Sequence, residues 1–89
     1  MREAARVDAN QGEIVAGLRK LGISIEIIEE PLDCLGWWRG EYFLLEIKTP
    51  GGRLTKAQVE FINRWPGRIH IAESLQEAIE LILGKEVMQ

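Results

Sequence analysis

The chain of 89 residues contains a single cysteine, Cys34, and a single histidine, His70. One thiol cannot form a disulfide within the chain and has no partners at zinc-ligand spacing, so a disulfide scaffold and a zinc finger are both excluded. No apolar run approaches the ~20 residues that cross a bilayer, and the first residues lack the apolar segment of a signal peptide. We therefore expect a cytoplasmic protein, without a membrane partner, in which Cys34 is a small buried side chain.

Positive charge is also scarce, since the formal net charge is −3. Its distribution is uneven: between residues 39 and 70 there are six basic and three acidic side chains. This could be a basic surface for nucleic acid or a set of solvated charges, and the sequence leaves both interpretations open. The basic residues are Arg39, Lys48, Arg53, Lys56, Arg64 and Arg68.

Repeats, low-complexity segments and linkers are absent, so residues 1–89 are expected to form one domain. A hydrophobic fraction of 46% and a charged fraction of 28% are typical of a globular protein. A chain this short buries only about 60% of its unfolded surface, so its core is thin and a second copy would help to stabilise it.

Hydrophobic periodicity predicts three helices and four strands. The first helix has Asp8 as its expected N-cap and ends at Gly22, and a strand follows over residues 23–28. The apolar pattern predicts a hairpin with one strand over residues 33–38 and the other over residues 42–48. Its turn would place Arg39 at a positive φ, which Asn or Asp adopts more readily than Arg. Thr55 begins a second helix, whose expected inner face consists of Gln58, Phe61, Ile62 and Trp65. Residues 68–72 form a last strand, and Ser74 begins a third helix. The expected class is α/β, a mixed sheet with the element order α-β-β-β-α-β-α.

The second arm of the hairpin carries the chemistry. Glu46 and Lys48 are two residues apart on a strand, so their side chains share a face while Ile47 points to the other. A turn at positions 39–40 pairs residue 33 with residue 46, which brings the carboxylates of Asp33 and Glu46 together. Hard oxygen donors of this kind suit Mg²⁺ or Mn²⁺, and Lys48 would stand beside a water on the ion.

A plainer interpretation makes Asp33 a turn residue and Glu46 and Lys48 a surface ion pair. The apolar residues around them, Phe43 to Leu45 and Ile47, argue against it, because they predict a strand buried on both faces. An ionised side chain at the end of such a strand is costly without a partner or a metal.

The ordered motifs resemble the PD-(D/E)xK nucleases, and more narrowly the small phage-type VRR-NUC domains. They are D-x12-E-x-K from Asp33 to Lys48, preceded by a helix and followed by Leu54-Thr-x-x-Gln58, and the resemblance spans Arg6 through Ile82. It implies a restriction-endonuclease-like α-β-β-β-α-β core, here with a C-terminal helix. It also implies that Asp33, Glu46 and the Ile47 carbonyl bind the metal, that Lys48 acts on the attacking water, and that Gln58 completes the site.

Two departures from the family pattern stand out. The proline of the usual Pro-Asp pair is displaced by one residue, to Pro31. Many relatives have an acidic ligand on the first helix where this chain has Gln11. The helical period turns Gln11 inward, so its amide could reach a phosphate or the metal-bound water, but a capping box with Asp8 explains it equally well. Gln58 has the same ambiguity, because Thr55-x-x-Gln58 is also a capping box.

The remaining candidates concern DNA and a second copy. Arg53 and Lys56 flank the start of the second helix, where free backbone amides favour a phosphate, and Arg39 at the hairpin tip is a third DNA-binding candidate. Trp37 and Trp38 alternate on their strand, so one should face the core and the other outward, as a dimer contact or a base-stacking surface.

These observations lead to an expected Mg²⁺-dependent DNA endonuclease, acting as a homodimer on duplex or branched substrates. Two alternatives stay open. The chain could be a nucleic-acid-binding module of the same fold with too few ligands to cut, or an assembly protein that uses an exposed tryptophan as its contact.

Overall fold

A computed structural model describes residues 8–84, which form one four-stranded sheet flanked by helices. The class is mixed α/β, and the order α-β-β-β-α-β-α agrees with the sequence prediction. Within the described part of the chain, no helix is long and apolar enough to span a membrane. The elements are α1 (Gln11–Lys20), β1 (Ser24–Ile27), β2 (Cys34–Trp38), β3 (Glu41–Ile47), α2 (Lys56–Arg64), β4 (Ile69–Ala72) and α3 (Leu75–Leu83).

The sheet has the order β1-β2-β3-β4, antiparallel as far as β3 and parallel between β3 and β4. Helix α2 makes the crossover that a parallel pair requires. Cys34 pairs with Leu45 and Trp38 with Glu41, so the hairpin register predicted from the sequence is confirmed. Its two-residue turn has Arg39 at φ 50° and Gly40 at φ 87°, the positive angles of a type I′ turn, so the arginine does adopt the conformation that made the prediction doubtful.

The two faces of the sheet pack against different helices. On one face α1 and α3 cover Cys34, Phe43, Leu45, Ile47 and Ala72. On the other face α2 covers Leu44 and Ile69 through Phe61 and Ile62, with Leu32 beside them. Strand β3 contributes to both cores, so it is buried on both sides as its apolar sequence predicts.

Three local predictions are wrong. Helix α1 begins at Gln11 with Asn10, not Asp8, as its N-cap. Strand β1 spans Ser24–Ile27 rather than residues 23–28, and its last residue, Ile27, is 45% exposed. Trp65 was expected on the inner face of α2, but it lies at the C-cap, where the backbone has turned extended, and it is 46% exposed.

Candidate active site

The carboxylates of Asp33 and Glu46 meet at one end of the β2–β3 hairpin. Asp33 directly precedes β2, and its main-chain N–H donates to Glu46 Oε1 at 3.1 Å. In return, Asp33 Oδ2 accepts the main-chain N–H of Ile47 at 2.8 Å. The main-chain oxygen of Asp33 accepts from Ile28 and Glu29, which ties the β1–β2 connection to the same residue. Asp33 is therefore held by backbone on both sides, and the opposition predicted from the register is present.

Glu46 is the most enclosed charged residue of the site, with 2% of its surface exposed. Its Oε2 accepts from Gln58 Nε2 at 2.8 Å and lies 3.4 Å from the Lys48 ammonium nitrogen. Lys48 shares the face of Glu46, as the strand period predicts, while Ile47 is buried in the opposite core. These four polar residues, Asp33, Glu46, Lys48 and Gln58, are thus connected to one another.

Gln58 has both of the roles predicted for it, one in the capping box of α2 and one beside Glu46 in the site. Its Oε1 accepts the Thr55 N–H at 2.9 Å and its own N–H donates to Thr55 Oγ1 at 3.1 Å, which is a complete capping box. Its Nε2 is left to hold Glu46. The first turn of α2 is therefore connected to the carboxylate by one amide side chain.

Burial raises the pKa of both carboxyl groups above their usual range, and the charge of Asp33 raises the pKa of Glu46 further. The Ile47 N–H and the Lys48 ammonium act in the opposite direction on Asp33 without outweighing burial. Burial and the adjacent carboxylates also raise the pKa of the Cys34 thiol to about 12. The site therefore concentrates negative charge in a poorly solvated position, and a cation would relieve it.

An open cleft of about 770 Å³ lies in front of these groups. Gln11 lines it and is 8% exposed, so its predicted inward orientation is correct, while α1 has no side-chain cap from Asp8. Arg53 and Arg64 lie along the α2 side of the cleft, and Glu29 and Glu30 lie along the β1–β2 side. The cleft therefore has one basic wall and one acidic wall.

Two of the predicted DNA contacts fall outside the cleft. Lys56, the first residue of α2, is exposed but does not line it. Arg39 lies at the hairpin turn, six residues along the chain from Asp33 in the direction of β2, which corresponds to roughly 20 Å. Its guanidinium stacks on the Trp38 ring, 5.0 Å from the ring centre. Of the three candidates only Arg53 lines the cleft, and DNA binding by all three remains a prediction.

Three residues of the site escaped the sequence analysis. Asp8 lines the cleft and its charge raises the pKa of Asp33. Arg64 reaches the cleft from the last turn of α2 with its guanidinium over the Phe61 ring, and the i, i+3 spacing from Phe61 was the available signal. Asn10 bonds the main chain at the ends of β3 and β4, and no short-range pattern predicts that contact.

The donor set limits what the site could bind. In residues 8–84, no group of three or more His, Cys, Asp or Glu side chains is arranged to hold a metal ion. Two carboxylates do lie together, and Mg²⁺ commonly takes only one or two from a protein, with water and phosphate completing its shell. The charge and oxygen chemistry of Asp33 and Glu46 therefore fit a hard divalent cation. The Ile47 carbonyl stays a predicted third ligand; the neighbouring Ile47 N–H is bonded to Asp33.

A separate apolar patch faces outward from the sheet, and we define it as Leu35, Trp37 and Tyr42. Trp37 is 40% exposed and Tyr42 is 69% exposed, whereas Trp38 packs against the α1–α3 core. The prediction that one tryptophan faces inward and the other outward is confirmed. The patch lies on the part of the sheet that α2 does not cover.

The two roles of Gln58 can be separated by substitution. We expect Gln58→Ala to lower the free energy of unfolding by about 0.5–1.5 kcal/mol, because the Thr55 N–H and Glu46 each lose a partner. Gln58→Glu keeps an acceptor for Thr55 but sets a third carboxylate against Glu46, so it should cost more at pH 8 and lose this excess near pH 4. Urea unfolding at both pH values measures this.

A matched control is Gln76→Ala, since Gln76 donates to Glu80 at 3.0 Å on the exposed surface of α3. It should change stability by less than about 0.5 kcal/mol. Equal losses for Gln58→Ala and Gln76→Ala would contradict the bridging role of Gln58.

Comparison with known proteins adds no relative: no family model, no curated protein and no solved structure matches this chain.

Proposed function

We propose that this chain is a Mg²⁺-dependent endonuclease that hydrolyses phosphodiester bonds in DNA, related to the PD-(D/E)xK nucleases that its motifs resemble. The observation that supports it most is the meeting of the Asp33 and Glu46 carboxylates, from neighbouring segments, with the Lys48 ammonium beside them in one open cleft. A surface ion pair would not be enclosed to this degree, with Glu46 almost wholly buried.

In this mechanism Asp33, Glu46 and the Ile47 carbonyl would hold the cation, and Mn²⁺ would substitute for Mg²⁺. When bound, the cation would supply a water of lowered pKa and a positive charge opposite the phosphate. Lys48 donates hydrogen bonds from Nζ to the attacking water and to the phosphate oxygen that gains charge. The water oxygen bonds to phosphorus as the bond to the leaving sugar oxygen breaks; the proton lost by the water passes to solvent, and the leaving oxygen takes a proton from solvent. Gln58 keeps Glu46 in position, and Gln11 offers its amide to a phosphate oxygen.

The basic wall of the cleft supports a polyanionic substrate. Arg53 lines the cleft from the loop before α2 and Arg64 from the last residue of α2, and an arginine can bind a phosphate through two parallel hydrogen bonds. The acidic residues opposite, Glu29 and Glu30, would repel a backbone, so we propose that the scissile strand runs along the α2 side. Duplex and branched DNA both remain candidate substrates.

The test is cleavage of supercoiled plasmid, branched DNA and single strands with Mg²⁺, Mn²⁺ or EDTA. We expect cutting with either metal and none with EDTA. Asp33→Asn, Glu46→Gln and Lys48→Ala should each lower the rate by about 10²-fold or more, while the exposed controls Glu60→Gln and Lys20→Ala should not. Cleavage that persists in Asp33→Asn would refute the proposed site.

The alternative is a nucleic-acid-binding module that does not cut. It is favoured by the amide at Gln11 where relatives have an acid, and by the lack of a three-residue metal cluster within residues 8–84. Calorimetry separates the two, because a binding module should take up no Mn²⁺ at millimolar concentration. DNA binding without Mn²⁺ uptake would favour this alternative.

We also propose that the active form is a homodimer joined through the apolar patch of Leu35, Trp37 and Tyr42. A stable dimer buries roughly 800 Å² on each copy, and these side chains would form the centre of such an interface. Analytical ultracentrifugation of wild type and Trp37→Ser tests it. A wild-type monomer at micromolar concentration would refute it. The cytoplasmic location stays a prediction.

A further inference from the structure

Asn10 occupies the N-cap position of α1, yet its side chain makes no capping hydrogen bond to the helix. Asparagine at this position commonly accepts a main-chain N–H of the first turn through its side chain. Here the side chain makes no capping bond. Its Nδ2 donates instead to the main-chain oxygens of Lys48 at 3.2 Å and Glu73 at 2.9 Å. The helix therefore gives up a side-chain cap, and a bridge to the sheet takes its place.

The bridge lies where the parallel ladder ends. The last paired residues of β3 and β4 are Ile47 and Ala72, and the Lys48 N–H still donates to the Ala72 oxygen at 3.0 Å. The Asn10 amide then binds the oxygens of the two residues that follow the strands, so it continues the ladder by one further rung. As a result, the main chain of Lys48 is held through both its N–H and its C=O.

The orientation of the Asn10 amide follows from its partners. Carbonyl oxygens only accept, so the amide must present its nitrogen to them. Its Oδ1 is left buried without a partner among the described residues, and an unsatisfied buried oxygen is costly. Aspartate has the same shape but would set oxygen against oxygen.

We infer that Asn10 is the positioning residue for Lys48, fixing the main chain from which the ammonium group reaches Glu46 and the cleft. The inference rests on the proposed nuclease function. Beyond Lys48 the chain leaves the sheet, so without the bridge only one hydrogen bond would hold its main chain. A displacement of about 1 Å in a positioned group can lower a rate about 10²-fold. Asp33 and Glu46 are held by other bonds, so the two carboxylate ligands do not depend on Asn10.

The first test is amide hydrogen exchange by NMR, which does not depend on activity. We compare wild type with Asn10→Ala, which removes the amide, and with Asn10→Asp, which also adds repulsion. The matched control is Asn63→Asp, the same change at an exposed position of α2. The Lys48 amide should exchange at least about tenfold faster in both Asn10 variants and be unchanged in the control. The amides in the middle of β3 should stay protected in all four proteins.

The second test is kinetic, in single-turnover DNA cleavage with Mg²⁺. Loss of a group that orients an active-site residue typically costs about 10–100-fold in activity, and we expect the single-turnover rate constant of Asn10→Ala to fall by this much while the Mn²⁺ affinity changes little. In a Lys48→Ala background, Asn10→Ala should lower the cleavage rate little further, because Asn10 acts on the rate through Lys48.

The outcomes separate this inference from the function on which it rests. A wild-type protein that cuts no DNA under any condition refutes the proposed function, and this role of Asn10 with it. An active wild type in which Asn10→Ala and Lys48→Ala multiply their losses refutes the positioning role alone, as does an unchanged Lys48 amide. Should Asn10→Asp fail to fold by circular dichroism, Asn10→Ala still decides.

Discussion

Asp33→Asn is expected to abolish most DNA cleavage and at the same time to stabilise the metal-free protein at pH 8. Asparagine keeps an oxygen for the Ile47 N–H and removes one of two neighbouring negative charges. Cleavage should fall by on the order of 10²–10³-fold, because a ligand and its charge are lost. The melting temperature in EDTA should rise by a few degrees, because burial no longer acts against an ionised group at position 33 and the charge of Asp33 no longer acts on Glu46.

The pH dependence has a definite sign. The pKa of Asp33 is raised in the folded protein, so folding favours its protonated form. Wild type should therefore match the variant below about pH 4 and lose stability relative to it as the pH rises through the raised pKa. Mg²⁺ or Mn²⁺ should reverse the difference at pH 8 by binding only the wild type. Thermal melts from pH 4 to 8, with EDTA and with metal, measure this.

Glu60→Gln is the matched control, since it removes a charge from the exposed surface of α2. It should shift the melting temperature little and leave the metal response intact. A wild type that is more stable than Asp33→Asn in EDTA at pH 8 would contradict the electrostatic account of the site. Glu46→Gln is a poorer test of stability, because its new amide would face the donors on Gln58 and Lys48.

Gly36→Ala should be among the most destabilising single changes in the sheet. Gly36 pairs with Phe43, whose ring covers it, and an added Cβ would lie 2.2 Å from the Phe43 Cζ atom. The ring is buried and contacts His70 at a centroid distance of 5.4 Å, so it has little room to move. We expect a loss of about 1–3 kcal/mol or more, measured by urea unfolding. In a domain of this size, each kcal/mol corresponds to roughly 4–8 °C in Tm.

A smaller side chain at position 43, opposite Gly36 on the neighbouring strand, should relieve this clash. Phe43→Leu costs stability alone by leaving a void, but in the Gly36→Ala background it should recover part of the loss, which a double-mutant cycle detects. Gly12→Ala is the control: Gly12 lies in α1 with open space around it, and the change should stabilise the helix by about 0.5–1 kcal/mol. Equal effects at the two glycines would contradict the close packing of Gly36 and Phe43.

Much of the fold could be predicted because its signals are local. The apolar run from Phe43 to Ile47 predicts a strand buried on both faces, and the Arg39-Gly40 turn fixes its register with β2. The register in turn places Asp33 against Glu46, so the centre of the candidate site follows from the positions of three residues. The start of helix α2 follows similarly from the Thr55-x-x-Gln58 spacing, whereas a place for Gln58 in the site was implied only by the family resemblance.

The walls of the cleft could not be predicted, because they depend on contacts between distant segments. Asn10 bonds to Lys48, 38 residues away in sequence, and to Glu73, 63 residues away. The sequence alone predicts helix capping for an asparagine at this position. Arg64 was counted among the basic residues, but its entry into the cleft depends on how α2 crosses the sheet. Trp65 was misassigned because the helical period was extended one residue past the end of α2.

Core and cleft residues alternate along the end of β3, so the correct pairing of this strand is required both for the core and for the candidate site. Ile47 lies in the core between two charged neighbours that face the cleft, so a shift of one position in the pairing of this strand would drive Glu46 and Lys48 beneath α1 and α3 and expel the isoleucine. A mispaired molecule would have no assembled site. Catalytic turnover per molecule would then report the fraction of a preparation whose central strand is in register, and would serve as a sensitive assay of refolding.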